Sequence, residues 1–348
     1  MPVLVGEPAA DVEHPDDLPG VPAAEPGGHV RCACDRGRRR FGAGEAGGAV
    51  AAGGGKRDAP RAGTGAHREQ GTVKILFASA EVDPFAKVGG LADVAASLPQ
   101  RLKEIGHDVR VVTPCHASGK AAHAASRQHR LLTVQSPGKP RDVDIATVEG
   151  IGGVPVELVA DEHYFLRPNV YGEPDDLLRY QFFCRVIIEM LRTDEWVPDI
   201  LHLNDWHTAP LAFGLRNQAW SNPRLRGVAS VFTIHNLRYR GPDELNDFLA
   251  QAIYYADIVT TVSPTYAREI LTREYGEGLE ALLGLRGNAL LGILNGLNYD
   301  LFNPRTDPHV RHHYDLATVE QRWPNRDALR EELGLRRIPP QQVRPAAV

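Results

Sequence analysis

The chain has 348 residues, 43% of them apolar and 24% charged, and carries a formal net charge of −5 at pH 7. This length can bury one large core or two ordinary ones, and the composition is that of a globular protein. The charge gives no reason to expect the basic stripe of a nucleic-acid binder, and the longest apolar runs, such as Val228 to Ile234, are too short to span a bilayer. No nucleic-acid or membrane partner is therefore expected. The N-terminus has no secretory pattern, so the expected location is the cytoplasm. Cys32 and Cys34 form an isolated C-x-C with no second pair, and Cys115 and Cys184 lie in apolar stretches as buried thiols. Neither a metal nor a cofactor is expected.

Residues 1–71 are dominated by Gly, Ala, Pro and charge, including Gly42 to Gly55 and Arg38-Arg39-Arg40. Such a stretch offers too little apolar surface to offset the entropy of ordering, and it reads as a disordered tail. From Thr72 the pattern changes. Val73 to Ala78 is a short apolar run, the signature of a buried parallel strand. A Gly89-Gly90 loop follows, then Leu91, Val94, Ala95, Leu98, Leu102 and Ile105 recur at helical spacing, with a kink or restarted turn expected at Pro99. Gly106 ends that helix and Asp108 to Val112 reads as the next strand, completing a βαβ unit.

Ser118 to Gly153 is less periodic and reads as mixed strand and loop. Beyond it the alternation resumes: helix at 177–191, strand at 199–203, helix at 208–217, strand at 228–234, helix at 245–255, strand at 257–262. Ser263 then caps a helix that has Pro264 at its first position and runs to Leu271. Alternating strands and helices predict an α/β fold with a doubly wound, mainly parallel sheet. A last helix is expected over 327–335, followed by a Pro-rich end at 339–348.

In such a sheet, ligands bind beyond the carboxyl ends of the strands, so polar clusters there are the candidates. Lys87-Val88-Gly89-Gly90-Leu91-Ala92-Asp93 combines a cation, glycines that admit close approach, and a helix N-terminus suited to an anion. A plain turn with a solvated lysine accounts for it equally well. Neither the dinucleotide glycine spacing nor the Walker pattern is present. Asn204-Asp205-Trp206-His207 and Thr233-Ile234-His235-Asn236 both stand at strand ends. There Asp205 could be a helix cap and His207 a satisfied structural ring. Asn295-Gly296 is as much a turn signal as a contact.

Together these motifs carry a resemblance. Lys-x-Gly-Gly-Leu-x-Asp-Val, Asp-Trp-His-Thr-Ala, Thr-Ile-His-Asn, Ala-Asp-x-Val-Thr-Thr-Val-Ser-Pro-Thr-Tyr-Ala-Arg-Glu-Ile and Asn-Gly-Leu-Asn-Tyr-Asp-x-Phe-Asn-Pro stand in the order found in ADP-glucose-dependent glycogen/starch synthases, glycosyltransferase family 5. The resemblance covers about residues 72–335. It implies a retaining glucosyltransferase of the GT-B type, here its Rossmann-like N-terminal half, with ADP-glucose and an α-1,4-glucan as substrates. By resemblance Lys87 contacts the donor phosphates, Gly89 and Gly90 admit them, and His207 sits near the transferred glucose. Asp205 and Asp93 shape the site, Tyr171 lies near the donor, and His235 and Asn236 line the cleft.

The family's Arg-Leu-x-x-Gln-Lys-Gly-type motif and acidic pair have no equivalent here, and the segment between Gly241 and Ala256 is shorter than family members carry. The expectation is thus a C-terminal half absent from this chain, with 1–71 a tail, 72–325 the N-terminal domain and 326–348 a linker helix and truncated end. Such a chain would be inactive alone unless a separately encoded C-terminal half completed it. A non-catalytic nucleotide-sugar or glucan-binding module is the alternative, and a sucrose- or trehalose-type transferase stays open.

Overall fold

A computed structural model describes residues 71–241 and 247–336. The expected tail before residue 71, Cys32 and Cys34, the start of the helix foreseen from Leu245, and the Pro-rich end from 339 lie outside the described residues.

Among the described residues nine strands form one sheet: β1 (Lys74–Ala78), β2 (Asp108–Pro114), β3 (Gln128–Val134), β4 (Arg141–Glu149), β5 (Pro155–Ala160), β6 (Ile200–Asn204), β7 (Ala229–Ile234), β8 (Ile258–Thr261) and β9 (Leu290–Gly292). Among them run helices α1 (Gly90–Glu104), α2 (Lys120–Ala125), α3 (Asp176–Thr193), α4 (Asp205–Thr208), α5 (Pro210–Ser221), α6 (Phe248–Tyr255), α7 (Pro264–Glu269), α8 (Glu280–Gly284) and α9 (Arg322–Glu332). The strand order is β3-β4-β5-β2-β1-β6-β7-β8-β9. From β5 to β9 all neighbours are parallel, whereas β3, β4 and β5 pair antiparallel.

The double winding is visible residue by residue in β1. Leu76 and Ala78 pack into the core formed with α3, α5 and α6, while Phe77, one residue out of phase, packs with Ala95 and Ala96 of α1 on the opposite face. Both faces are covered, so β1 is apolar without alternation, which is what made it legible. β1 lies between β2 and β6, so the chain leaves it in one direction and later returns on its other side. That reversal opens a crevice at the carboxyl ends of β1 and β6.

Three elements differ from expectation. α1 runs through Pro99 as one helix with no restarted turn. The less periodic stretch proves to hold α2 and the hairpin β3–β4. The hairpin has one solvated face, so its apolar residues alternate instead of running together, and Gly138 takes φ 91° in the connecting turn. The last helix begins at Arg322, earlier than foreseen, because Pro324 falls in the first turn, where its missing N–H has no helical partner to lose.

Candidate active site

The crevice is a cleft of about 780 Å³ lined by the ends of β1, β6 and β7 and the loops beyond them. Asn204, the last residue of β6, laces these strands together. Its Nδ2 donates to the Ala78 carbonyl of β1 (3.0 Å), and its Oδ1 meets His235 Nε2 just past β7 (3.0 Å). Thr208 Oγ1 accepts from the Asn204 backbone N–H (2.6 Å). The chain then turns through Asp205 at φ 54°, a left-handed backbone that Asp tolerates better than most residues. Asp205 does not cap the helix. Its Oδ1 accepts the backbone N–H groups of His235 (2.7 Å) and Asn236 (3.4 Å), tying the β6 and β7 loops to each other. Burial pushes its carboxyl up to about 7, against the pull of those two donors.

This turn delivers His207 to the cleft. The ring is stacked among Trp206 (centroids 4.0 Å), Tyr180 (4.5 Å) and Tyr171 (4.6 Å), and the residue is 5% exposed. Neither ring nitrogen has a hydrogen-bond partner among the described residues. Burial holds the imidazole well below its usual pKa, so it is neutral at pH 7. A buried polar group without a partner costs free energy, so this ring is not the satisfied structural histidine that sequence alone allowed.

Tyr171 is held by a latch that no sequence motif announced. Arg179, fully buried in α3, donates to the carbonyls of Tyr164 (2.8 Å), Asn169 (3.1 Å) and Val170 (3.4 Å) and to Asp176 Oδ1 (2.5 Å). Asp176 Oδ2 in turn accepts from the N–H of Gly172 (2.7 Å). The loop carrying Tyr171 is thereby fixed against the cleft wall.

The glycine loop is differently wired from expectation. Glu81, 2% exposed, accepts the N–H groups of Val88 (2.5 Å) and Gly89 (3.1 Å), so the chain's own carboxylate takes two of the amides expected to meet an anion. The N-terminus of α1 itself has no side-chain cap, and its first residues, Gly90 and Leu91, line the cleft. Lys87 does not line it. Its ammonium is held by Asp93 (2.5 Å) and Asp83 (3.4 Å), and this pairing with Asp93 raises its pKa. Asp93 thus acts on Lys87 and is likewise outside the lining.

Of the residues singled out in sequence, the cleft gathers Gly89, Gly90, Tyr171, Asp205, His207, His235 and Asn236. His235 Nε2 is committed to Asn204, and Asn236 Oδ1 accepts the Arg238 N–H (3.0 Å), which makes both more structural than expected. Asn295 reaches the cleft, while the side-chain-capped turn of its loop forms at Asn298. Missed were Glu81, Asp176, Arg238, Tyr239 and Arg240. Arg238 and Arg240 follow directly on the Thr-Ile-His-Asn strand end, so the same strand-end argument reaches them. Arg240 pairs with Asp247 (2.7 Å), leaving Arg238 as the cleft-lining cation without a side-chain partner among the described residues.

A family model described as the starch synthase catalytic domain matches residues 74–284. The chain belongs to this family. It is similar to the glycogen synthases of Moorella thermoacetica (39% identical over 288 residues, 76% of this chain and 58% of that one) and Thermotoga petrophila (39% over 293 residues, 76% and 60%). Among solved structures it resembles the catalytic domain of starch synthase IV from Arabidopsis thaliana bound to ADP and acarbose, with TM-score 0.66, 32% identity and coverage of 76% of this chain and 60% of that one. The chain thus spans about three-fifths of the length of these relatives. No helix of the described residues is long and apolar enough to cross a membrane.

Proposed function

We propose that this chain is the donor-side half of a glucosyltransferase that carries glucose from ADP-glucose to the non-reducing end of an α-1,4-glucan. The observation that carries the reading is His207, a neutral ring whose two nitrogens are buried without a hydrogen-bond partner among the described residues, in a cleft rimmed by a glycine loop and an uncapped helix N-terminus. The ADP and acarbose held by the Arabidopsis relative support the same substrate classes.

In this reading the N–H groups opening α1 receive a diphosphate oxygen, and Gly89 and Gly90 let it approach. His207 exchanges a hydrogen bond with a sugar hydroxyl and orients the ring, its depressed pKa keeping it from acting as an acid at neutral pH. As the bond from the sugar's anomeric carbon to the phosphate oxygen breaks, charge grows on the leaving diphosphate, and the helix dipole and Arg238 stabilise it. Lys87 joins them only by leaving Asp93. One unpaired cation is little against a leaving nucleoside diphosphate. The reading therefore calls for further cations from a second half. It takes 72–325 as the donor-side domain and 326–348 as the connector. It also takes the site to work without a metal and in the cytoplasm, where the buried free thiols Cys115 and Cys184 stay reduced.

The pairing of Lys87 with Asp93 favours a second reading, a module that binds nucleotide sugar or glucan without turnover. Titration of the purified chain with ADP-glucose and with NADH, beside Gly90→Val and His207→Ala, tests the proposal. A Cβ at Gly90 meets nothing within 4 Å, so a side chain there starts into open space, and the valine stands in the donor's approach. ADP-glucose binding that Gly90→Val abolishes supports the reading. Equal binding of NADH, or binding indifferent to Gly90→Val, sinks it. Labelled glucose entering glycogen when a relative's C-terminal half is added to the wild type, and lost with His207→Ala, separates transferase from module.

A further inference from the structure

Outside the cleft, at the antiparallel edge of the sheet, three metal-ligating side chains converge from three elements. His123 comes from α2, His129 from β3 and Asp144 from β4, and one ligand atom from each lies within 4.8 Å of the others. The hairpin register explains part of this. His129 stands opposite Ala146 and Leu131 opposite Asp144, so His129 and Asp144 are diagonal neighbours on one face. α2 packs across that face and brings His123 down onto the same carboxylate. His129 Nδ1 lies 3.0 Å and His123 Nε2 3.6 Å from Asp144 Oδ2, and the two rings stand edge to face at 5.0 Å.

We infer that His123, His129 and Asp144 form a binding site for a divalent late transition metal ion, Zn²⁺ foremost. Bond lengths of about 2.0–2.2 Å imply ligand-to-ligand edges of roughly 3.3 Å in a tetrahedral site, and the two nitrogen-to-carboxylate distances already straddle that edge. The third edge, between the two ring nitrogens, is bounded at 4.8 Å, so the rings must turn toward each other to close it. Two imidazoles and one carboxylate suit Zn²⁺, Co²⁺, Ni²⁺ or Cu²⁺. Mg²⁺ and Ca²⁺ prefer all-oxygen shells and gain little here. The side chains are partly exposed, 13% for His123, 36% for His129 and 37% for Asp144, so an ion can enter and a water can hold the fourth position. None of the three lines the cleft, so the ion takes no part in sugar transfer. It staples the helix after β2 to the edge hairpin, stabilising the folded chain by binding it and not the unfolded one.

The test uses the full chain, stripped with EDTA and dialysed, with thermal unfolding followed against ZnCl₂ and MgCl₂. Visible absorption with CoCl₂ reports ligation directly. Wild type is compared with His129→Ala, Asp144→Asn and, as a control at a remote histidine, His312→Ala. The expected result is a saturable Zn²⁺-dependent rise in Tm and a Co²⁺ d–d band in wild type and His312→Ala. His129→Ala and Asp144→Asn, each referred to its own Tm in EDTA, would bind Zn²⁺ at least about tenfold more weakly. The inference is overturned if wild type shows no Zn²⁺ response, if Mg²⁺ shifts it equally, or if both variants respond as wild type does.

Discussion

The latch behind Tyr171 gives the sharpest quantitative prediction. Replacing Arg179 with Met keeps the length and apolar stem but deletes a guanidinium that serves three backbone carbonyls and the Asp176 carboxylate. Arg179 is 0% and Asp176 5% exposed, so solvent cannot take over. Removing one member of such a pair leaves a buried charge uncompensated, at a cost of about 3–5 kcal/mol. For a domain of this size that lowers Tm by about 10 °C, at roughly 2–4 °C per kcal/mol. Asp176→Asn, read alone and with Arg179→Met, completes a cycle. If the cost is the stranded carboxylate, the double variant is more stable than the two single losses added together. Differential scanning fluorimetry with urea unfolding reads all four forms. A single variant within about 1 kcal/mol of wild type, or strict additivity in the cycle, would refute the argument.

Other substitutions and conditions test separate links. A Cβ at Gly292 in β9 overlaps the backbone of Ser263 and Pro264, with Pro264 N at 2.6 Å, and backbone cannot swing aside as a side-chain tip can. Gly292→Ala should cost about 1–3 kcal/mol in urea unfolding; no change would mean α7 sits loosely on β9. Burial holds His116 and His235 at about 4 and His202 at about 3, below the usual 6.5, so the unfolded chain binds more protons between those values. Stability should fall as pH drops below 6.5, each ring contributing about 1.4 kcal/mol per pH unit. Asp205, raised to about 7, and Glu157, raised by burial, work the other way, their contributions being lost as pH rises, but they are two groups against four rings once His207, also depressed by burial, is added. Urea midpoints equal at pH 5 and pH 7 would contradict this. Arg238→Ala should weaken ADP binding about tenfold and flatten its salt dependence while leaving adenosine binding unchanged; an equal loss for adenosine would exclude a phosphate contact.

What the sequence determined by itself is what nearest neighbours along the chain encode. A strand buried on both faces, such as β1, is a continuous apolar run, and α1 and α3 repeat their apolar residues at helical spacing. Ser263 and Pro264 announce the start of α7, and Ser263 Oγ does accept the Tyr266 N–H (2.8 Å). Strand-end position and the motif order, with a looser resemblance for Tyr171, pointed to seven residues that line one cleft. The hairpin β3–β4 was harder to read because a half-solvated strand alternates its apolar residues and resembles a loop.

Only the tertiary structure decided how charges and donors are paired. Sequence marked Lys87 as a cation near a helix N-terminus but could not say that Asp93 and Asp83 hold it, or that Glu81 takes the amides beside it. His207 and a capped, satisfied histidine look alike in sequence; the difference is the ring of Trp206, Tyr180 and Tyr171 that closes around it and offers no partner. The physical reason is one of range. Periodicity and capping act over one or two turns of chain, whereas the pKa of Asp205, the latch on Tyr171 and the His123–His129–Asp144 cluster depend on which distant groups packing brings within about 4 Å and on how much water it removes.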